Sequence, residues 1–192
     1  ILDTLYMTLA STLFGYIIGL PMGIVLTVTD KDGIRPNAAV YKVLDVISNL
    51  LRSIPFIILL IVLIPFTRFV VGRSYGSTAT IVPLTIAAAP YIARMVESSL
   101  KEVDAGVIEA ARSMGASDFQ IVTKVMLVEA RTSLIVGATI SLGTILGYSA
   151  MAGTVGGGGL GDIAIRYGYT RWQTDIMVVT VVLLVVLFQI FQ

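Results

Sequence analysis

The sequence predicts an all-α fold, a polytopic bundle of about five membrane-spanning helices forming a single transmembrane domain over residues 1–192. Three observations lead there. Of the 192 residues, 56% are hydrophobic and only 13% charged, against about one-quarter charged in soluble domains. Mean hydropathy is +0.93, so lipid rather than water is the expected solvent of most side chains. The charges are also segregated: none falls between Asp3 and Asp30, from Ser53 to Thr67, from Ser74 to Ala93, from Thr132 to Gly161, or from Ile176 onward. Crossing a hydrocarbon core about 30 Å thick takes roughly 20 mostly apolar residues of helix.

Five helices are therefore expected, at about 3–29, 47–71, 77–97, 132–153 and 175–192. Lipid gives no hydrophobic drive for helix association, so close packing needs small residues at the contacts. Gly15, Gly19 and Gly23 fall on one face of the first span, and Gly143 and Gly147 repeat the spacing in the fourth. Both series read as packing seams, with direct solute contact as the alternative. Pro55, Pro65, Pro83 and Pro90 are expected to interrupt the second and third spans, either as packing kinks or as kinks lining a pathway. Orientation follows the excess of Lys and Arg in cytoplasmic loops. Lys31, Arg35, Lys42, Arg52, Arg94, Lys101, Arg112, Lys124 and Arg131 share one side, and Arg68, Arg73, Arg166 and Arg171 the other. The first side is expected to be cytoplasmic, with the N-terminal end outside and Gln192 inside. Tyr167, Tyr169 and Trp172 then suit an outer aromatic belt. Because the chain opens on Ile1 and closes within an apolar run, both ends are expected to be trimmed.

Several chemistries drop out. With no Cys and no His, disulfides, thiolate chemistry, imidazole acid–base work and the usual transition-metal ligands are absent, and neither a catalytic residue nor a metal ligand is expected. No basic cluster points to nucleic acid. No charged residue is expected inside the spans, which removes the usual hardware of a proton relay. A sodium site built from carbonyls and hydroxyls stays open, but the energy is expected to come from another subunit. The run from Gly156 to Asp162, GGGGLGD, matches G-x-G-x-x-G, which has meaning only within a βαβ unit. It also contains G-x-G-D, which as a protease motif needs a second intramembrane aspartate, and only Asp175 lies near. No G-x-x-x-x-G-K-[ST] occurs, so no P-loop is present. The glycines read as a tight outer turn or a re-entrant segment.

The segment 98–131, expected on the cytoplasmic side between the third and fourth spans, far exceeds the usual helix–helix connection of about 2–8 residues. Within it Val107, Ile108, Ala111 and Met114 fall on one helical face, with Glu109 and Arg112 elsewhere. This predicts a short amphipathic helix. Gly115 can close it in a left-handed conformation, and Ser117 with Gln120 forms an S-x-x-Q capping box that starts a second helix. Periodicity alone leaves two readings, a helix lying on the membrane or bundle surface and one that binds a partner.

Glu109, Ala110 and Ala111, followed after three residues by Gly115, resemble the coupling motif E-A-A-x3-G-x9-I-x-L-P of bacterial ABC importer permeases. Val125 takes the place of the motif's Ile, Leu127 matches its Leu, and Val128 stands where Pro is usual. The stretches 52–60, 64–68, 81–97 and 147–161 are similar to the methionine-uptake group of that family, and the likeness extends over nearly the whole chain. The resemblance implies a type I importer permease fold in a bacterial inner membrane, with a cytoplasmic coupling helix that docks into a groove of an ATPase. Glu109 would supply the polar contact, Ala110 and Ala111 the close approach, and Gly115 the turn. It further implies a homodimer of this chain, two copies of the ATPase binding ATP and Mg, a substrate-binding lipoprotein outside, and no cofactor in this chain. Ser53, Tyr148, Ser149 and Met151 are candidate residues of the substrate pathway, with bundle packing as their alternative. Against import of methionine or a related amino acid stand a channel or sodium-coupled carrier and, third, an intramembrane enzyme.

Overall fold

The computed structural model describes residues 1–192, all helices and connecting turns. In chain order the helices are α1 (Leu2–Thr29), α2 (Ala38–Ser53), α3 (Phe56–Val62), α4 (Ile64–Val71), α5 (Ser77–Lys101), α6 (Ala105–Ser113), α7 (Asp118–Gln120), α8 (Leu127–Glu129), α9 (Arg131–Ala152), α10 (Gly159–Ile163) and α11 (Thr174–Phe191). Single π-helical segments occupy Ile121–Met126 and Ala164–Tyr169. Helices α1, α5, α9 and α11 are long and apolar enough to cross a membrane, and the bent pair α2–α3 makes a fifth span if taken together.

The second span differs from the single helix expected over 47–71. The chain bends by 102° between α2 and α3, where Pro55 is extended at φ −55°, ψ 134°. Proline has no N–H to donate and disfavours helical backbone in the residue before it, so α2 stops and a new helix begins. Pro65 lies in the first turn of α4, where the missing donor would have had no intrahelical acceptor. Pro83 and Pro90, expected to interrupt the third span, do not: α5 is helical through both. It is the most buried of the long helices, and this packing holds it helical. It also continues to Lys101, and Arg94 and Glu97, which lie within the expected span 77–97, are helical in it, so the expectation of spans without charge fails there, as it does at Arg52 of α2 and Arg68 of α4.

The chain divides into two compact units. The first comprises Ile1–Gly15, Ile54–Ala88 and Thr139–Gln192, and its core is organised by the glycine run. Gly76 N–H donates to the Gly156 carbonyl at 2.9 Å, and Leu160 N–H donates to the buried Thr4 Oγ1 at 2.8 Å. A Cβ at Gly161 would collide with the Ala150 backbone, and one at Gly159 would sit 2.6 Å from Thr4 Oγ1. These glycines serve close backbone approach, so the segment is a packed turn rather than a loose loop. Gly143 receives the Phe188 ring, while Gly147 faces open space.

The second unit comprises Tyr16–Ser53 and Ala89–Ala138. Here Gly19 and Gly23 of the first glycine seam act as expected: a Cβ on Gly19 would lie 2.7 Å from the Ala89 carbonyl oxygen, and one on Gly23 2.7 Å from Val96 Cβ. Thr27 and Thr29 donate their hydroxyls to carbonyls four residues back, at 3.0 and 2.7 Å, which satisfies polar groups without water. Replacing Gly23 by valine should force α1 from α5 and cost about 1–3 kcal/mol, read as a lower thermal midpoint of the purified protein in detergent. An unchanged midpoint would refute the seam.

Candidate functional site

The candidate site is built on the corner between α6 and α7. Asp104 caps α6, its carboxylate accepting Gly106 N–H at 2.7 Å, a cap that the sequence reading did not pick out. At the other end Gly115 is left-handed at φ +83° with nothing near the position of a Cβ, and Ala116 N–H returns to the Ala111 carbonyl at 3.1 Å. Ser117 and Gln120 then form the expected capping box: Ser117 N–H donates to Gln120 Oε1 at 2.9 Å, and Gln120 N–H to Ser117 Oγ at 3.4 Å. Local hydrogen bonding therefore stops one helix and starts the next within a few residues.

Glu109, Ala110 and Gly115 are exposed on this corner, whereas Ala111 is buried, and α6 packs against the π-helical segment 121–126. The expected apolar face is only half right. Ala111 is buried and Ile108 half-buried, but Val107 is 41% and Met114 81% exposed. Met114 is already the C-cap residue and no longer in regular helix, so helical spacing misplaces it. Together with Phe119, 76% exposed, these side chains give the corner an apolar outer surface beside Glu109. Val125 and Leu127 are half-buried. Val128, at the usual proline position, continues a helical turn in α8, and regular helix is interrupted instead at Ala130, φ −77°, ψ 1°.

A cavity of 580 Å³ opens beside the corner, lined among others by Asp30, Ile34, Lys101, Ile108, Glu109 and Arg112. Arg112 Nη2 donates to the Ile34 carbonyl at 2.8 Å, tying α6 to the α1–α2 turn. Beyond it lies a charge cluster that the sequence reading missed. Glu97 is 4% exposed. Its Oε1 accepts from Lys101 Nζ at 2.8 Å and from Tyr41 Oη at 3.2 Å, and its Oε2 accepts from Arg94 Nη1 at 2.7 Å. Arg94 also pairs with Asp45 and donates to Asn49 Oδ1 at 3.2 Å, and Lys101 pairs with Asp30. The hydrogen bond from the Lys101 ammonium, more than any other influence, holds the Asp30 carboxyl below the usual carboxylate range. The signal was present as Arg94, Glu97 and Lys101 at helical spacings of three and four, opposite Tyr41, Asp45 and Asn49 at spacings of four.

The candidate pathway residues are divided between the two units. Ser53 belongs to the second unit and the others to the first; it is exposed and donates to the Asn49 carbonyl at 2.7 Å. Tyr148 stacks on Phe56 with ring centroids 4.7 Å apart. Ser149 is buried, with its hydroxyl donated to the Leu146 carbonyl at 2.8 Å, while Met151 is half exposed.

Residues 15–192 match the family model described as the binding-protein-dependent transport system inner membrane component. A probable D-methionine transport system permease protein MetI from Vibrio cholerae is 50% identical over 190 residues, covering 99% of this chain and 84% of that protein. The D-methionine transport system permease protein MetI of Escherichia coli K12 is 56% identical over 151 residues, covering 79% and 70%. Among solved structures, a chain of the MetNI methionine ABC transporter in an inward-facing conformation matches with a TM-score of 0.97 and 53% identity, over 99% of this chain and 88% of that one. An amino acid ABC transporter crystallised with histidines matches at a TM-score of 0.79 and 21% identity, over 100% and 86%, a likeness of fold.

Because the α7 cap is local, Ser117→Ala should cost about 1 kcal/mol of helix stability there. Hydrogen exchange of the amides at 118–122 should accelerate while α1 and α5 keep their protection; unchanged exchange would count against the capping box.

Proposed function

The chain belongs to the family of binding-protein-dependent transport system inner-membrane components, and on that premise we propose that it is the membrane-spanning permease of an ATP-driven importer of methionine. The observation that carries this reading is the correspondence of 99% of the chain, at 53% identity, to a chain of the MetNI methionine ABC transporter. The protein is a multi-pass inner-membrane permease, and ATP hydrolysis lies in a separate subunit.

The α6–α7 corner is the proposed contact with that ATPase, which binds the ATP and Mg. A short helix with a small, apolar outer surface suits insertion into a groove of a partner. Ala110 permits close approach, Glu109 offers a polar contact, and Gly115 lets the chain reverse. Ala111, facing inward, joins α6 to the segment bearing Val125 and Leu127, so that a push on α6 moves packed helices as a body. The working assembly is two copies of this chain, two ATPase subunits and an extracytoplasmic substrate-binding lipoprotein. The excess of Lys and Arg on one side supports an outside N-terminal end and a cytoplasmic C-terminal end.

For the solute, Tyr148 and Met151 are the proposed pathway residues of α9 together with Ser53 at the end of α2, while the buried Ser149 supports them through packing. A flexible thioether such as that of Met151 can repack as a gate. A channel or sodium-coupled carrier would instead move solute without ATP.

Proteoliposomes holding the permease, its ATPase and the binding protein should take up radiolabelled L- or D-methionine only with ATP. Glu109→Lys should reduce that uptake about tenfold by reversing the charge at the proposed groove contact, with assembly unchanged. Uptake indifferent to ATP and to Glu109 would refute the proposal; ATP-driven uptake of another amino acid would change only the solute.

A further inference from the structure

Helix α2 is attached to the rest of its unit in an unusual way. Of its sixteen residues only Ser48 is buried, and Val43, Val46, Ile47 and Leu50 are all exposed. Leu44 and Leu51, on either side of Ser48, are only half-buried, so apolar packing fixes its position in part. The directional attachment is polar: Tyr41, Asp45 and Asn49 lie on one face at successive helical turns, and each bonds Glu97 or Arg94 of α5. Hydrogen bonds are directional where apolar contacts are not, so this set specifies a register and an angle for α2 as well as its proximity.

The same cluster reaches the proposed coupling corner. Arg112 of α6 holds the carbonyl of Ile34 in the α1–α2 turn; Asp30 at the start of that turn pairs with Lys101; and Lys101 meets Arg94 on the two oxygens of the Glu97 carboxylate. Every link is a named side chain with a discrete partner. Glu97 is where they converge, buried and with both oxygens occupied. A buried ion cluster is weak as a source of stability, since well-packed apolar residues of like volume do as well or better. Its distinctive property is geometry: a single carboxylate placed at the junction makes the α1–α2 turn, the end of α5 and the polar face of α2 move together.

We propose that Glu97 is a positioning residue of the transport cycle, locking α2 to the end of α5 and to the α1–α2 turn so that displacement of α6 reaches α2 and the Pro55 bend that follows it. This deepens, and rests on, the reading of the chain as an ATP-coupled permease. Glu97 is 4% exposed and acts through Arg94, Lys101 and Tyr41. Weakening the junction should leave the ATPase running while less of its motion reaches the permease helices.

The test measures methionine imported per ATP hydrolysed by the reconstituted complex with its binding protein, for the unsubstituted chain, Glu97→Gln, Glu97→Asp and Tyr41→Phe. Glutamine keeps the size but loses the charge, and the ratio should fall about tenfold, within the range of ordinary coupling between sites, with ATP hydrolysis retained. Aspartate keeps the charge and should restore most of the ratio. Tyr41→Phe removes a single hydroxyl and should lower the ratio about two- to threefold, on the scale of one hydrogen bond to a charged group. Uptake and hydrolysis falling in parallel, at a constant ratio, would overturn the proposal by showing a merely structural role, as would an unchanged ratio in Glu97→Gln. Should Glu97→Gln not assemble, Tyr41→Phe decides: a lowered ratio supports the proposal and an unchanged one overturns it. Absence of ATP-driven uptake by the unsubstituted complex would instead refute the transport reading itself, and the inference with it.

Discussion

Hydrocarbon offers no partner to an N–H or a carbonyl, so each interruption of helix must be satisfied from within the protein, and the breaks in this chain follow that constraint. Pro65 sits in the first turn of a helix, where its missing donor costs nothing, and Pro55 stands where one helix ends and another starts. At the glycine run, backbone groups find Thr4 Oγ1 and the Gly156 carbonyl as partners, which is possible because glycines let the strands of chain approach within a distance a Cβ would forbid. The turn is ordered because its polar groups are used.

A second consequence concerns charge. Ionised groups near the end of a span are costly unless paired, and Asp30, Asp45, Arg94, Glu97 and Lys101 each have a partner of opposite charge. The pairing joins the end of α1 and the polar face of α2 to the end of α5. Apolar seams such as Gly19 and Gly23 against α5 hold helices side by side, whereas the Glu97 junction prescribes how α2 is aimed. The coupling corner is built differently again, from caps and a left-handed glycine, which leave its outer surface uncovered for a partner.

Hydrophobic length and capping are properties of neighbouring residues, so the sequence by itself determined four of the spans, the Gly115 corner, the Ser117–Gln120 box and the small-residue seam of α1. It marked Glu109 and Ala110 without showing that they stand exposed while Ala111 turns inward, because the facing of a helix of nine residues depends on what it packs against. It also marked Pro55 and still read through it, since composition alone does not distinguish a kinked span from two helices at a steep angle. Arg94 and Lys101 stand at helical spacing from Glu97, but tertiary structure alone decided the long-range partners of Glu97, Arg94 and Arg112. Tyr41 lies 56 positions from Glu97, Asp45 lies 49 from Arg94, and Ile34 lies 78 from Arg112. No local periodicity encodes such pairs; they exist only once the packing of whole helices brings distant polar and charged groups within hydrogen-bond reach of one another.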